Sequence, residues 1–587
     1  MDELGLRPLP VTNPTQHSSP PITVQQFIDS IEAAIQEATG LEAGSFKLEK
    51  PRNAAMGDFA FPCFLLAKRD KGNPAKIAGE LAAKLNESFD GIEAIATGPY
   101  LNFKVRRTDL AQAILGTILG QGASYGDSTE GEGKTVVIDL SSPNIAKPMS
   151  VGHLRSTVIG AAIQRLHDKL GYTTVGINHI GDWGSQFGKL VAAVDRWGDT
   201  VDLANNPIPS LLALYVRYHE EEEDDPELKE AARAAFRELE SGEDGHVRAI
   251  WRNLTQLSMK EFDRTYARLN VTFDEVRGES FYEDYLDSTI ERIAATGVTE
   301  QSQGALIVNL EEFGEHVPPC LLRKSDGTTL YATRDMAAVF HRHELYNFHR
   351  CLYVVGGDQR LHFQQIKYVL KRMELEWEDR VEHVDFGMLR LPDGKMSTRQ
   401  GKVVFLEEVL DRAVEEARKI IEAKNPELVN AGEIAEMIGV GAVVFNDLKR
   451  ERTKDIEFVW SEVLSFEGDT GPYVQYTHAR LASILRKAEA GAMENADYSC
   501  LEESSGLLLN MGRFPSVLQR AANNAEPSEV TQYLLGLARD VNSWIAANRV
   551  LGQEAGTTAA RLQVVEAARQ TIQIGLGLIG VGVPSSM

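Results

Sequence analysis

The chain has 587 residues, of which 43% are hydrophobic and 25% charged, and its formal net charge is −24. A chain of this length is too long to fold around one hydrophobic core, which predicts three or four domains. The composition is that of a globular protein, and no apolar run is long enough to span a bilayer. The four scattered cysteines form no CxxC zinc pattern and fit a reducing cytoplasm better than a disulfide scaffold. The negative net charge disfavours nucleic acid as a partner, because phosphate binding needs cations. It does not exclude such a partner, because salt screens distant charges and the local charges near a ligand matter more than the sum.

The N-terminal part of the chain predicts an arm followed by a small domain. Residues 1–22 are rich in proline and lack a basic start and an apolar run, which predicts a flexible arm and not a secretion signal. Residues 23–125 then combine a helical stretch, "ITVQQFIDSIEAAIQEA", with an alternating one, "GPYLNFKV". We predict a small α+β domain here.

From residue 130 to 405 the pattern is that of a parallel sheet. "TVVIDL" reads as a strand, "HLRSTVIGAAIQRLHDKLG" as a helix and "TTVGINHIG" as the next strand. Strand–helix alternation of this kind is typical of a Rossmann-like fold. The segment from about 190 to 298, rich in Glu, Ala, Arg and Leu, predicts a helical insertion into the sheet domain. The rest is nearly all helical, and we predict a helical region at 406–465 and an all-α bundle at 466–587.

The stretch "SSPNIAKPMSVGHLRST" (Ser141 to Thr157) joins the first strand of that sheet to its helix. Ligands of such sheets bind beyond the carboxyl ends of the strands. Gly152 lets a flat ring approach the backbone, the helix start offers amide donors, and His153 can donate to a phosphate oxygen. Taken alone, the stretch is better explained as an ordinary loop with a capping glycine and a histidine at the helix start.

A second stretch, "DGKMSTRQGKVVF" (Asp393 to Phe405), carries two lysines, an arginine and two hydroxyl groups on a glycine-flanked loop. Such a loop can meet the charge that develops on a polyphosphate leaving group. An exposed basic turn is the alternative explanation. The two stretches together are more informative, because Gly-His near the first strand is followed far along the chain by Lys-Met-Ser.

This pair resembles the "HIGH" and "KMSKS" signatures of class I aminoacyl-tRNA synthetases, and longer strings resemble the arginyl-tRNA synthetase family in particular. The resemblance implies ATP and arginine as substrates, tRNA(Arg) as partner, Mg²⁺ with ATP, no zinc, no membrane, a monomer and a cytoplasmic location. The strings that carry it are "SSPNIAKPMSVGHLRSTVIG", "INHIGDWGSQFG", "YATRDMAA", "MSTRQGKVVF", "RTKDIEF" and "FEGDTGPYVQYTHARLASILRKA".

The resemblance also assigns roles to domains and residues. It implies that residues 23–125 contact the tRNA corner and that the bundle from 466 binds the anticodon. His153 and Lys395 would act on the phosphates, and Gln359 would line the arginine pocket. The implied ATP site comprises Ser150, Gly152, His153, Gly387, Met388, Lys395, Met396 and Ser397. The implied arginine site comprises Asp139, Asn144, Tyr331, Asp335 and Gln359, with Asp139 and Asn144 on the α-amino and carboxylate groups.

The chemistry of arginine fits two of these residues. A guanidinium is always charged and has five donors and no acceptor, so its pocket needs carboxylate oxygens. Tyr331 and Asp335 are four residues apart and would share one helix face, where the carboxylate can bind the guanidinium and the ring can cover it. For an isolated aspartate, an exposed helix charge would be the commoner explanation.

The chain departs from the family at two positions. Ser150 stands where the first signature usually has histidine, and Thr398 stands where the second has its second lysine. We predict that Lys147, six residues before His153, supplies the missing cation as a catalytic group. The departures leave two alternatives open, a synthetase-like protein that has lost catalysis and a different class I synthetase.

Overall fold

The computed structural model describes residues 24–49, 51, 56–314, 316–390, 405–465 and 467–587. The predicted flexible arm, residues 1–22, lies outside the described residues. So does the second signature, from Lys395 to Arg399, and so does Phe466, the predicted first residue of the terminal bundle.

The N-terminal region is an antiparallel sheet with amphipathic helices, as its alternating and helical patterns predict. Its three strands lie in the order β1-β3-β2. The buried side chains of Ile31, Ile35, Phe61 and Phe103 contribute to its core. The elements in chain order are α1 (Val24–Thr39), β1 (Phe59–Pro62), α2 (Phe64–Asp70), α3 (Pro74–Asn86), β2 (Ile92–Thr97), β3 (Tyr100–Val105) and α4 (Arg107–Gln121).

The middle of the chain alternates strands and helices and includes two further small sheets. In chain order its elements are β4 (Thr135–Ser141), α5 (Val151–Lys169), β5 (Thr173–Asn178), α6 (Ser185–Trp197), α7 (Pro207–Glu221), α8 (Pro226–Glu240), α9 (His246–Arg268), β6 (Glu275–Val276), α10 (Leu286–Ala295), β7 (Thr299–Ser302), β8 (Ala305–Val308), β9 (Cys320–Arg323), α11 (Tyr331–Tyr346), β10 (Arg350–Tyr353), α12 (Arg360–Arg372), β11 (Val381–His383) and β12 (Leu389–Arg390).

The predicted parallel sheet is confirmed. It has five strands in the order β11-β10-β4-β5-β6, and every neighbouring pair is parallel. Its central strand β4 is buried almost throughout, and Val137 pairs with Val175 on one side and Cys351 on the other. A strand covered on both faces needs a continuous apolar run, which explains the sequence "VVI".

The predicted helical insertion needs a correction. Helices α7 to α10 lie within residues 190–298, but β6 lies there too and is the edge strand of the parallel sheet. The chain therefore returns to the sheet before the predicted end of the insertion. The three-stranded antiparallel sheet β7-β8-β9 was not predicted at all.

The C-terminal part is helical, as predicted, with one short strand that pairs with β12. The elements are α13 (Leu406–Lys424), α14 (Ala431–Leu448), β13 (Ile456–Glu457), α15 (Trp460–Val463), α16 (Gly471–Arg486), α17 (Ser505–Gly512), α18 (Phe514–Asn523), α19 (Ser528–Ala547) and α20 (Ala555–Leu578). The last of these helices, α20, ends at Leu578, six residues before Pro584. Among the described helices, none combines the length and the apolar character that crossing a bilayer requires.

The chain divides into two compact units. One contains the described residues up to Gly122 together with 488–512 and 544–567, and the other contains 123–487, 513–543 and 568–587. The larger unit includes the whole parallel sheet. All the predicted site residues that the structure describes belong to this unit.

Candidate active site

The carboxyl ends of the five parallel strands meet at one edge of the sheet. Loop 142–150 follows β4 at this edge, and residues 354–359 follow β10. Residues 384–388 follow β11, and Glu279 comes three residues after β6. This edge is where ligands of open parallel sheets bind, and it brings together residues that the sequence analysis placed in the ATP and arginine sites.

His153 lies in the first turn of α5, and its contacts define which ring nitrogen accepts a hydrogen bond. Ser150 is the N-cap of this helix, and its backbone N–H donates to Nδ1 of His153 at 3.0 Å. Burial lowers the pKa of His153, which favours the neutral ring. A neutral imidazole that accepts at Nδ1 carries its proton on Nε2. His153 is therefore prepared to donate a hydrogen bond to an anion.

The serine that replaces the usual histidine at position 150 has a clear local role. Its Oγ lies 3.1 Å from Nδ1 of His153, beside the backbone donor. Gly152, between them, is exposed and has no side chain to cover the amide groups of the first turn. The helix start therefore offers backbone donors and a positive dipole end to an anionic ligand.

The chain that follows the second signature returns to the first one. Phe405 forms an antiparallel bridge with Ser150, and the Leu406 N–H donates to the Met149 carbonyl at 2.8 Å. The first described residue after the signature thus lies against the cap of α5. The roles predicted for Lys395 and its neighbours fall outside the described residues and stay predictions.

Lys147 lies on the loop that leads to α5 and faces the helical insertion. Its Nζ is 3.5 Å from Oε1 of Gln186 and 5.3 Å from the ring centroid of Tyr215. Gln186 belongs to α6 and Tyr215 to α7. Burial lowers the pKa of the Lys147 ammonium. The predicted contact of Lys147 with phosphate stays a prediction.

Asn144 and Asp139 differ in what they offer a substrate. Asn144 is exposed on the loop after β4 and bridges Gly181, where a Cβ would lie 2.2 Å from Oδ1 of Asn144, so a side chain at position 181 would displace the Asn144 amide. Asp139 is buried, and Nη2 of the fully buried Arg342 donates to its Oδ2 at 2.8 Å. One oxygen of this carboxylate is therefore bound to a guanidinium within the protein, and the role predicted for Asp139 toward the α-amino and carboxylate groups of arginine stays a prediction.

Tyr331 and Asp335 share the first turns of α11, in agreement with their spacing. Tyr331 is 67% exposed. Nε2 of His362 lies 2.5 Å from Oδ2 of Asp335, so a residue of α12 orients this carboxylate. Gln359, exposed after β10, stands one turn before His362. His362 was not predicted, because its only sequence signal is its position in "DQRLHF".

A second carboxylate, Glu279, accompanies Asp335 and was also missed. Burial raises the pKa of Glu279 to about 7, Arg334 opposes this, and the nearby carboxylates of Asp335, Asp182 and Glu283 add to it. Arg334 already pairs with Glu283 at 2.6 Å among these acids, and the raised pKa of Glu279 makes this carboxyl a candidate contact for a further cation. No motif marked Glu279, because it reaches this place only through the short strand β6.

The backbone of Gly387 and Met388 is engaged with the segment 452–456. The Gly387 N–H donates to the Arg452 carbonyl at 2.9 Å, and the Met388 N–H donates to Oδ1 of Asp455 at 2.8 Å. The Met388 side chain is 63% exposed. These residues lie at the sheet edge as predicted, but bonds within the protein already use both of their N–H groups.

Comparison with known proteins assigns each part of the chain. Residues 114–460 match the family described as "tRNA synthetases class I (R), catalytic domain". Residues 474–587 match "DALR anticodon binding domain", and residues 25–105 match "Arginyl tRNA synthetase N terminal domain".

Individual proteins agree with these assignments. The arginine–tRNA ligases of Alkaliphilus metalliredigens and Clostridioides difficile are each 45% identical over 542 residues, which is 92% of this chain and 95% of theirs. The solved structure of Thermus thermophilus arginyl-tRNA synthetase is 28% identical, has a TM-score of 0.81 and covers 95% of this chain and 100% of its own.

The parallel sheet, with the His153 helix at its carboxyl edge, and the match over most of the middle of the chain define a class I tRNA synthetase. Within this class, the matches of the two flanking domains and the relatives at 45% identity indicate the synthetases for arginine. The chain belongs to the arginyl-tRNA synthetase family. The predicted fold class and family are thereby confirmed.

Proposed function

We propose that the protein is an arginine–tRNA ligase. The arginine carboxylate attacks the α-phosphorus of ATP, pyrophosphate leaves, and arginyl-adenylate forms. The 3′-terminal ribose hydroxyl of tRNA(Arg) then attacks the arginyl carbonyl, and AMP leaves. One observation carries the proposal: at the carboxyl edge of the sheet, where α5 begins with His153 in its first turn, the charge of Asp335 is close enough to raise the pKa of a second carboxylate, Glu279.

The proposed roles follow from charge and geometry. Asp335, oriented by His362, and Glu279 bind the guanidinium, and the exposed ring of Tyr331 covers it. His153 donates from Nε2 to the α-phosphate region. Such fixed donors and charges accelerate adenylation by positioning the reactants and stabilising phosphate charge, with little acid–base chemistry.

The remaining predicted residues complete the site. Asn144 and Gln359 supply neutral polar groups for arginine, and Ser150 and Gly152 shape the helix start for ATP. The Gly387–Met388 backbone borders adenine. Cations act on the phosphates from Lys395 and Lys147.

Magnesium would enter this site with ATP. Across the part of the chain that the structure describes, no three His, Cys, Asp or Glu side chains cluster as metal ligands. Mg²⁺ is commonly held by substrate phosphates, a few carboxylates and water, without a dedicated protein cage. We propose that the phosphates of ATP supply most of its ligands. A cytoplasmic monomer is the setting that the family resemblance implies.

The decisive test is ATP–pyrophosphate exchange with each of the twenty amino acids, with and without tRNA. We expect exchange with arginine alone among them. Exchange with another amino acid would identify a different class I synthetase. Absence of exchange with arginine and tRNA present would favour a protein that has lost catalysis.

The pH dependence of arginine binding should report Glu279. Its pKa is raised to about 7, so the group is protonated and neutral below pH 7 and ionised above it. Because a guanidinium binds the ionised form, the KM for arginine is expected to rise as pH falls below 7, approaching about tenfold per unit. Steady-state kinetics between pH 5.5 and 8.5, roughly the range around this pKa, measure it. Glu279→Gln should give a high KM that no longer varies across pH 7; an unchanged profile would contradict the assignment.

Binding of tRNA should weaken with salt despite the net charge of −24. Residues 474–587 contain nine basic and ten acidic side chains, so this region is nearly neutral while the chain as a whole is strongly acidic. Each phosphate contact releases counterions. With three or more contacts, raising monovalent salt from about 50 to 200 mM should weaken tRNA binding at least about tenfold. Filter binding measures this, and salt-independent binding would contradict the proposed anticodon and corner contacts.

A further inference from the structure

Arg452 holds two parts of the catalytic region at once. Its carbonyl accepts hydrogen bonds from the Gly387 N–H at 2.9 Å and from Nη2 of Arg155 at 3.2 Å. Its own Nη1 donates to Oδ1 of Asp385 at 2.8 Å and to the Asp385 carbonyl. Arg452 is therefore bonded to Asp385 and to Gly387, the residues before and after Phe386.

The other side of Arg452 meets the C-terminal helical domain. Its backbone N–H lies 3.2 Å from each carboxylate oxygen of Glu526, and its Nε donates to the Ala525 carbonyl at 3.2 Å. Ala525 and Glu526 form the turn between α18 and α19, within the region that matches the anticodon-binding family. Arg452 thus links this turn to the edge of the parallel sheet.

Arg155 is a second arginine that bonds to Gly387. It lies two residues after His153 in α5, is 1% exposed, and pairs with the equally buried Asp447. Its Nη1 donates to the Gly387 carbonyl at 2.5 Å and to the Lys454 carbonyl at 3.0 Å. Both backbone groups of Gly387 are consequently hydrogen-bonded: its N–H to the Arg452 carbonyl and its C=O to the Arg155 guanidinium.

Gly387 admits no side chain in this position. A Cβ would lie 2.5 Å from the carbonyl carbon and oxygen of Lys454, so the two backbones touch directly. A shift of residues 452–454 must therefore displace Gly387. Reacting groups tolerate little displacement, since about 1 Å can cost a hundredfold in rate.

We propose that Arg452 is a positioning residue for the adenine end of the ATP site and that Glu526, in the C-terminal helical domain, holds it there. The inference rests on the proposed function, in which the Gly387–Met388 backbone borders adenine. It adds that the seating of one turn of the C-terminal domain sets the affinity for ATP. The chain of contacts runs from Glu526 to Arg452 and from Arg452 to Gly387.

The test uses the full-length protein and substitutions at both ends of the contact. Arg452→Met removes the bonds to Asp385 and Ala525 and should raise the KM for ATP at least about tenfold. Glu526→Gln removes the charge facing the Arg452 N–H and should raise it about threefold to tenfold, less than Arg452→Met, because the amide oxygen can still accept from that N–H. The KM values for arginine and tRNA should stay within about twofold of wild type.

Glu529→Gln is the matched control. Glu529 lies three residues further along and accepts from Arg520 and Asn524, without touching Arg452. It should leave the KM for ATP unchanged. Calorimetric titration with ATP alone gives a Kd independent of catalysis, and thermal unfolding of each variant measures stability.

The outcomes separate this inference from the proposed function. An unchanged Kd for ATP in both Arg452→Met and Glu526→Gln would overturn it. So would a parallel rise of all three KM values with a falling Tm, which would mean that the contact only stabilises the fold. If the wild-type protein binds ATP but shows no exchange with arginine, the proposed function fails while the effect on ATP binding still decides the role of Arg452.

Discussion

Replacing Asp335 with asparagine is expected to raise the KM for arginine by at least about tenfold. The change preserves shape, and the amide can still contact His362, which lies 2.5 Å from Oδ2. It removes the charge that faces the guanidinium. Loss of one partner of a buried charge pair costs roughly 2–5 kcal/mol, and about 1.4 kcal/mol corresponds to a factor of ten. Steady-state exchange kinetics at varied arginine concentration measure the effect.

A control on the same helix tests whether the effect depends on where the charge is removed, or follows from removing any carboxylate of α11. Glu344→Gln removes a carboxylate near the other end of α11, where Glu344 pairs with Arg292 and its side chain is 64% exposed. This variant should keep the wild-type KM for arginine, and both variants should keep the KM for ATP. If Asp335→Asn leaves the dependence on arginine unchanged, Asp335 is a surface charge and the guanidinium binds elsewhere.

The parts of the fold that were predictable have long, regular patterns. The unit from β4 to β5 shows a short buried run rich in β-branched residues and then a helix of nineteen residues, and the length of the helix and the shortness of the apolar run distinguish the two kinds of element. Strand β6 has only two residues, Glu275 and Val276, and carries no periodicity. Strand β7, "TEQS", is polar and has no buried residue, so it lacks the apolar face that marks a strand.

The candidate site divides in the same way. The Tyr331–Asp335 pair was predictable because four residues on a helix fix a shared face. Neither the contact of Asp335 with His362 nor the approach of Glu279 depends on local spacing. Both follow from the way β6 and α12 pack, which a single sequence does not reveal. The same limit applies to Asp139, whose buried partner Arg342 has no signal in the local sequence.

Truncation of the terminal bundle is a poorer test of its role than point substitution. Segments of the last hundred residues belong to both compact units, since 488–512 and 544–567 lie in one and 513–543 and 568–587 in the other. A chain ended before Phe466 would lose core side chains from each unit. A failure to charge tRNA would then follow from misfolding as readily as from a lost anticodon contact.

Replacing Lys147 with methionine is expected to lower the rate of adenylation by about a hundredfold or more. Methionine keeps most of the length of the side chain and removes the ammonium. We propose that this ammonium stabilises phosphate charge in place of the second lysine of the second signature, where this chain has Thr398. Removal of one preorganised donor of this kind costs about 10²–10³ in kcat. Single-turnover formation of arginyl-adenylate measures the rate, and the affinity for tRNA should change little.

Lys189→Met is the matched control for this prediction. Lys189 is a partly buried lysine of α6 whose Nζ pairs with Glu222 and lies 5.7 Å from the ring centroid of Tyr218, much as Nζ of Lys147 lies 5.3 Å from that of Tyr215. Loss of such a contact alone should therefore leave adenylation near the wild-type rate. The double change Lys147→Met with Thr398→Lys should recover part of the lost rate if the two positions share one role, because the side chain introduced at position 398 would supply the cation removed at position 147. A normal adenylation rate in Lys147→Met would reduce Lys147 to a loop residue packed against the helical insertion.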